Sequence, residues 1–399
     1  MKIDKNQIIN YLTIRYNPSN SHISNWKDFQ PQTSDPQGKI TENFLMNSTV
    51  NSIPDDAKSI AISLSSGIDS SICLAILRKS FPDKKIIAIC GVFDSGFDES
   101  VEAKKIAEKF SAEFKVVHMD SIFTNMPEII SISKRPRWNT YNHLIAKEAK
   151  KQANFLVTGD GADELFGGYV FRYHKFNQLL NPNDNWLQKT KKYLECHNRD
   201  WVSDQNKMFD NNIKFNWNNI FSIFKPYFQN NLNPTSQVML ADFNGKLSFD
   251  FIPTGKSISQ YYKIKSIPIF LDESLMKFSK KLSLQQKYDN KNNQGKLVLR
   301  KISKRLGINH IDEKKGFSPS LLFDWQQNGK SISESFLLNK KSQIYKKNLI
   351  NYDWVVKAFD KVEFDGDIRY LNRLISILAL EIWIKIFITH ELKNNSKLN

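Results

Sequence analysis

From Ser59 onward the apolar positions switch regularly between a two-residue and a helical period. Ser59 to Leu64 is a short β-rich run, and Ser70 to Ser80 has helical spacing through Ile72, Leu74, Ala75 and Leu77. Lys85 to Phe93 predicts a second strand, Glu99 to Phe110 an amphipathic helix, and Phe114 to His118 a third strand. A helix over Tyr141 to Gln152 and a fourth strand over Asn154 to Thr158 complete the series. Strands alternating with helices of this length call for βαβ units and a parallel sheet. Upstream, residues 1 to 44 read as polar and irregular, broken by Pro18, Pro31 and Pro36, and from Ile40 a helix leads into Pro54. After Tyr169 the strand signal fades, and 170 to 245, 272 to 310 and 333 to 392 read as helices joined by polar loops. The expected architecture is α/β: an N-terminal extension (1–44), a parallel-sheet nucleotide-binding core (45–245) with a helical insertion after 170, and a helical C-terminal part (246–399). No internal repeat and no long flexible linker is visible, so the halves are expected to pack together and share a cleft.

Composition narrows this picture only a little. Apolar residues at 40% and charged residues at 25% are those of an ordinary globule. The net charge of +16 invites a nucleic-acid partner, but it comes mostly from lysines spread among asparagines. No basic block with interleaved aromatics stands out, so nucleic-acid binding is not expected. Cys73, Cys90 and Cys196 are widely spaced, with no Cys-x-x-Cys pair for zinc or redox work. A reduced, cytoplasmic setting is expected. The stretch after Met1 lacks a signal-peptide run, and the apolar helix at Leu374 to Ile388, carrying Glu381 and Lys385, is too short for a bilayer and reads as core.

Two elements carry candidate chemistry. In Leu64-Ser65-Ser66-Gly67-Ile68-Asp69-Ser70-Ser71 a strand feeds a loop of small residues and then a helix. Free amides at such a helix start bind phosphate. The loop is shorter than the usual NTPase loop and has no lysine. Asp69 inside an anion-binding loop implies an intervening Mg²⁺. A serine-rich turn capping a helix is the plain alternative. The second element, Gly159-Asp160-Gly161-Ala162-Asp163-Glu164-Leu165-Phe166-Gly167-Gly168-Tyr169, crowds three carboxylates among glycines directly after a strand. A surface turn has no need of that repulsion, which a cation would offset. Both loops would lie beyond the carboxyl ends of strands, where open α/β sheets bind ligands, and Asp163 is the natural second metal ligand.

Together these motifs resemble the synthetase domain of the asparagine synthetase family, within the PP-loop ATP pyrophosphatases marked by Ser-Gly-Gly-x-Asp-Ser. The resemblance extends to Phe97-Asp98-Glu99-Ser100 with Ala103, to Phe270-Leu271-Asp272, and to Gly295-Lys296-Leu297-Val298-Leu299-Arg300. It also takes in Lys314-Lys315-Gly316-Phe317, Leu380-Glu381-Ile382-Trp383, and Tyr11-Leu12 with Tyr16-Asn17-Pro18. It implies a PP-loop core of the adenine nucleotide alpha hydrolase-like type. By the same resemblance Ser65, Gly67, Asp69 and Ser70 hold the pyrophosphate end of ATP, with Mg²⁺ on Asp69 and Asp163. Leu64, Cys90, Thr158 and Gly159 occupy the places where the family's backbone meets adenosine. Lys296 would neutralise charge on the α-phosphate and leaving pyrophosphate, as attack of one anion on another requires. The implied reaction turns a carboxylate into an acyl-adenylate, which ammonia or an amine converts to an amide plus AMP. Aspartate is the first expectation for the acid.

Departures from the family pattern are specific. Ser66 replaces the first loop glycine. Asp160 stands where the family carries a glutamate thought to position or deprotonate the nucleophile. The run Glu-x-Arg-x-Pro-Phe-Leu-Asp becomes Lys263-Ile264-Lys265-Ser266-Ile267-Pro268-Ile269-Phe270-Leu271-Asp272, losing its acidic and arginine positions. Lys2 follows Met1 where a glutaminase domain would begin with cysteine, so glutamine hydrolysis is not expected. Free ammonia, a separate glutaminase subunit and an amine-bearing substrate remain open as nitrogen sources, and a homodimer is among the open assembly states. The alternatives are an amide or ring-forming synthetase acting on a specialised metabolite or peptide, and an RNA-modifying PP-loop enzyme.

Overall fold

The computed structural model describes residues 3–18, 24–95, 98–308 and 319–398. Phe97 and the Lys314-Lys315-Gly316-Phe317 turn lie outside the described residues. The centre is a five-stranded sheet in the order β3-β2-β1-β4-β5, with every neighbouring pair parallel. Its strands are β1 (Ser59–Ser63), β2 (Lys85–Phe93), β3 (Glu113–Met119), β4 (Phe155–Thr158) and β5 (Lys265–Pro268). The first four are those the apolar alternation predicts. β1 and β2 run as near-continuous buried apolar stretches because both faces of the sheet are covered there, whereas β3, at the sheet edge, keeps only Met119 fully buried. The fifth is a surprise: it is four residues long, contributes one buried side chain, Ile267, and pairs Thr158 with Pro268 at its end.

Helices cover both faces. Helix α1 (Lys5–Ile14) lies in the segment expected to be irregular, and Ile8 and Leu12 bury its one apolar edge. Helix α2 (Lys39–Ser52) enters the sheet, α3 (Ile68–Ser80) follows β1, and α4 (Ser100–Lys109) follows β2. Helices α5 (Met126–Ser133) and α6 (His143–Lys150) fill the span between β3 and β4. The apolar pattern foresaw α6 but not α5. After β4 comes the short α7 (Ala162–Phe166) and then a largely helical remainder. Within that remainder a two-stranded antiparallel hairpin, β6 (Tyr288–Asp289) and β7 (Gln294–Gly295), interrupts the predicted helical stretch.

Three apolar clusters hold these layers together. The largest joins β1, β2 and α3 to the helices after Tyr169, so the α/β half and the helical half share one core. A second is organised around the helix Ile368–Phe387, buried on nearly all sides, including Glu381. The Glu381 carboxylate accepts the backbone N–H groups of Gln343 (3.0 Å) and Ile344 (2.9 Å), capping the start of another helix rather than facing water. A third cluster packs α6 and the helix Ile252–Tyr262 against the other face of β1, β2 and β4. Among the described residues no helix is long and apolar enough to cross a membrane.

Candidate active site

The order of strands reverses at β1: β2 and β3 lie to one side of it and β4 to the other. The loops leaving β1 and β4 therefore meet at a switch point, where open parallel sheets bind ligands. A cavity of about 720 Å³ opens there. Of the candidate residues, Leu64, Ser65, Gly67, Asp69, Ser70, Thr158, Gly159, Asp160, Asp163 and Lys296 all line it. Cys90 sits within β2, its side chain in the main core, and the neighbouring Gly91 reaches the wall instead. Burial pushes the Cys90 thiol up to about 12, with Glu99 and Asp98 adding to the shift.

The loop after β1 is held by its own serines. Ser65 Oγ lies 2.8 Å from Ser70 Oγ and accepts the Gly67 N–H at 3.2 Å, and the Ser65 N–H donates to Ser70 Oγ at 3.0 Å. Gly67 is extended (φ −75°, ψ 155°) and opens α3. Asp69 thus falls in the first turn of α3, where the free amides stabilise a carboxylate. Ser66 binds the Glu99 carboxylate through its N–H (3.0 Å) and its hydroxyl (2.8 Å). Glu99 therefore occupies one of the loop's anion-binding donors.

The loop after β4 packs directly on this one. A Cβ on Gly159 would stand 3.1 Å from Asp69 Cβ and 3.4 Å from the Ser70 nitrogen, so any side chain here would press the two loops apart by a few tenths of an ångström. Asp163 lies in the first turn of α7. A side chain on Gly168 would overlap the Asp163 carboxylate and the Lys296 methylenes. Glycine here makes room for an ion cluster.

That cluster is the centre of the site. Lys296 Nζ lies 2.5 Å from Asp69 Oδ2 and 2.6 Å from Asp163 Oδ1, bringing three chain segments to one point. Lys296 follows β7 with φ +59°, and its N–H donates to the Phe166 carbonyl at 3.0 Å. A left-handed lysine costs about 1–3 kcal/mol, and it is held here by the hairpin and by α7. Burial opposes the ammonium charge, but Asp163 and Asp69 outweigh it and raise the Lys296 pKa. Both carboxylates keep some access to the cavity, with side chains 22% and 18% exposed.

Two further carboxylates border the cluster. Asp160 opens to water at the cavity but is ringed by protein atoms. That crowding raises its pKa, the Thr158 hydroxyl (2.9 Å) opposes the shift, and Asp163 and Asp69 add to it. Glu164 is buried and accepts the Tyr169 hydroxyl at 2.6 Å. Burial first, then the Asp163 charge, raises it to about 7 against that hydrogen bond. Glu164 was present in the sequence motif, but nothing in the spacing distinguished its buried, protonatable character from that of its neighbours.

The donor set suits a magnesium ion. Asp69 and Asp163 present hard oxygens converging from two loops, and the single Lys296 ammonium between them offsets one of their two charges. Among the described residues no cluster of three or more histidine, cysteine or acidic side chains is built to cage a metal. Mg²⁺ needs none, since it binds through one or two carboxylates and completes its shell with phosphate oxygens and water.

A parallel sheet with a serine-rich loop at its switch point, facing a carboxylate-rich loop and a lysine, defines a nucleotide-site α/β protein. The Asparagine synthase family model matches residues 45–385, and the chain belongs to that family. It is 27% identical over 200 residues to asparagine synthetase (glutamine-hydrolysing) 1 of Bacillus subtilis, covering 42% of this chain and 32% of that protein. The glutamine-hydrolysing asparagine synthetase of Pongo abelii is 24% identical over 188 residues, 44% of this chain and 33% of that protein. An NH₃-dependent NAD⁺ synthetase of Carboxydothermus hydrogenoformans is 28% identical over 151 residues, 34% of this chain and 59% of that protein. The matches thus span about a third of the length of the asparagine synthetases.

Proposed function

We propose that the chain is an ATP-dependent, amide-forming carbon–nitrogen ligase that activates a carboxylic acid as its acyl-adenylate. The observation that carries this reading is the meeting of Asp69, Asp163 and Lys296 at the mouth of the serine loop. Ser65, Gly67 and Ser70 would receive the pyrophosphate end of ATP, with Leu64, Thr158 and Gly159 along the adenosine and Gly91, rather than Cys90, at the wall beside it. Asp69 and Asp163 would hold Mg²⁺, which when bound draws charge from the phosphate oxygens and the leaving pyrophosphate. Lys296 supplies a fixed positive charge beside the same phosphates.

In the first step a substrate carboxylate oxygen bonds to the α-phosphorus, and the bond to the bridging oxygen of pyrophosphate breaks, its electron pair leaving with pyrophosphate. In the second an amine or ammonia nitrogen attacks the acyl carbon, and AMP departs with the carbon–oxygen pair. The nitrogen loses a proton in this step. Asp160, open to the cavity and with its pKa raised, is the group that would take it. Aspartate with ammonia, giving asparagine, is the family's pairing and the first to test.

An ATP–pyrophosphate exchange assay on the full chain, with candidate acids and Mg²⁺, tests the reading. Acid-dependent exchange is expected. ATP turnover to ADP and phosphate, or exchange independent of any acid, would remove it.

A further inference from the structure

Beyond the ion cluster the cavity continues into a lobe of different character. Its walls are Ile145 and Ala146 of α6, Leu156 of β4, Gly255 and Ile258 of the helix Ile252–Tyr262, and Ile264 leading into β5. Five of these six belong to the third apolar cluster, so the lobe is a place where that core comes to the cavity surface. The Ser259 hydroxyl beside it is already engaged, donating to the Ile264 carbonyl and accepting the Ser266 N–H at 3.2 Å.

Carboxylates of the chain already pair two of the cationic groups around the cavity. Among the described residues three cations line it: Arg137, Lys296 and Arg300. Arg137 is buried and gives its Nε and Nη2 to the Asp250 carboxylate, and its Nη1 to the Asn139 carbonyl (2.9 Å) and the Thr140 hydroxyl (2.8 Å). Lys296 is shared between Asp69 and Asp163. Arg300 gives its Nε to the Gly295 carbonyl at 2.9 Å. The carboxylates Asp69, Glu99, Asp160, Asp163 and Glu164 all come from the loops at the ion cluster and the segment after β2, none from the lobe. An acid with a second carboxylate and an ammonium would enter the lobe with no opposite charge among these walls to meet it. Burying charge in that way is strongly disfavoured.

We infer that the acid activated at this site carries a single carboxylate on an uncharged, mainly apolar body, which the lobe of Ile145, Leu156, Ile258 and Ile264 receives. This rests on the synthetase reading above and names its substrate class. The segment Lys263 to Asp272, which lacks the family's acidic and arginine positions, contributes Ile264 and Ser266 to the cavity wall. Gly255 adds room: a Cβ placed on it meets nothing within 4 Å.

The test is ATP–pyrophosphate exchange on the full chain with a panel of butyrate, isovalerate, hexanoate, phenylacetate, aspartate and glutamate. Each is run on the wild type and on Gly255→Trp, with ATP affinity measured by equilibrium binding and folding by thermal melting. At least one monocarboxylate should exceed aspartate and glutamate by about tenfold or more in kcat/KM, the scale on which one or two buried methylenes discriminate. Gly255→Trp should cut that advantage about tenfold with ATP affinity and melting temperature retained. Aspartate or glutamate as the best acid would overturn the inference while upholding the synthetase reading. A parallel loss of ATP affinity in a folded Gly255→Trp would overturn it too, because the lobe would then house adenine. ATP binding without exchange from any monocarboxylate in the panel would overturn it as well. Failure to bind ATP at all would instead strike the parent reading.

Discussion

Two ion clusters in this molecule use the same ingredients to opposite ends. Around Asp242, the Arg172 guanidinium lies 2.5 Å away, the Tyr193 hydroxyl donates at 2.7 Å, and the guanidinium also stacks 4.2 Å above the Tyr169 ring. Nearby, Lys246 and Arg15 each reach Asp200 at 3.0 Å. Arg172 and Asp242 are buried, with side chains 6% and 1% exposed. Around Lys296 the contacts are just as short, but the two carboxylates open onto a cavity. A closed cluster fixes the helical half in place, whereas an open one keeps its charge available to an incoming ligand. Tyr169 links the two, stacked on Arg172 and donating to Glu164.

The contrast can be broken from either side. Asp69→Asn or Asp163→Asn should abolish ATP cleavage with the circular dichroism spectrum and melting temperature nearly unchanged; wild-type turnover in either would remove that residue as a metal ligand. Arg172→Met should do the reverse, costing about 3–5 kcal/mol in urea unfolding because it strands the Asp242 charge, while the folded fraction keeps exchanging pyrophosphate. A loss below about 1 kcal/mol would show that the closed cluster is dispensable to the fold. Lys296→Ala should lower adenylate formation by about 10²–10³-fold in single-turnover kinetics, as for loss of one transition-state charge partner, with Lys296→Arg recovering part of it. An unchanged rate would exclude Lys296 from the chemistry.

The smallest effect belongs to the link between the clusters. Glu164 binds its proton more tightly folded (about 7) than unfolded (4.5). Its contribution is therefore fully present below pH 4.5 and is lost as pH rises toward 7. Urea titrations should show stability falling across that window by on the order of 3 kcal/mol at most, and Glu164→Gln should flatten the fall. An equally steep fall in Glu164→Gln would assign the titration to another group.

How far the fold was legible follows from segment length. β1 to β4 each carry enough consecutive apolar residues to declare a strand, and β2 was read to the residue. β5 was not, because Lys265–Pro268 offers one apolar inward position and ends in proline. The turn of α1 hides in the same way, its edge being Ile8 and Leu12 among polar neighbours. The hairpin β6–β7 is two residues a side and has no periodicity to detect. The site was legible where chemistry crowds into one stretch, as in Gly159 to Tyr169. The lobe was not, since Ile145, Leu156, Gly255 and Ile264 come from segments that look like ordinary core until the chain brings them together. Nor was the Ser66–Glu99 contact, which joins residues 33 positions apart through hydrogen bonds that leave no pattern.

Lys296 stands 227 residues beyond Asp69, and its backbone is anchored on the Phe166 carbonyl. A segment that stopped short of Lys296 would carry both carboxylates without the ammonium that stands between them. Because one core joins the sheet to the helices after Tyr169, the site and the helical half are mechanically a single part.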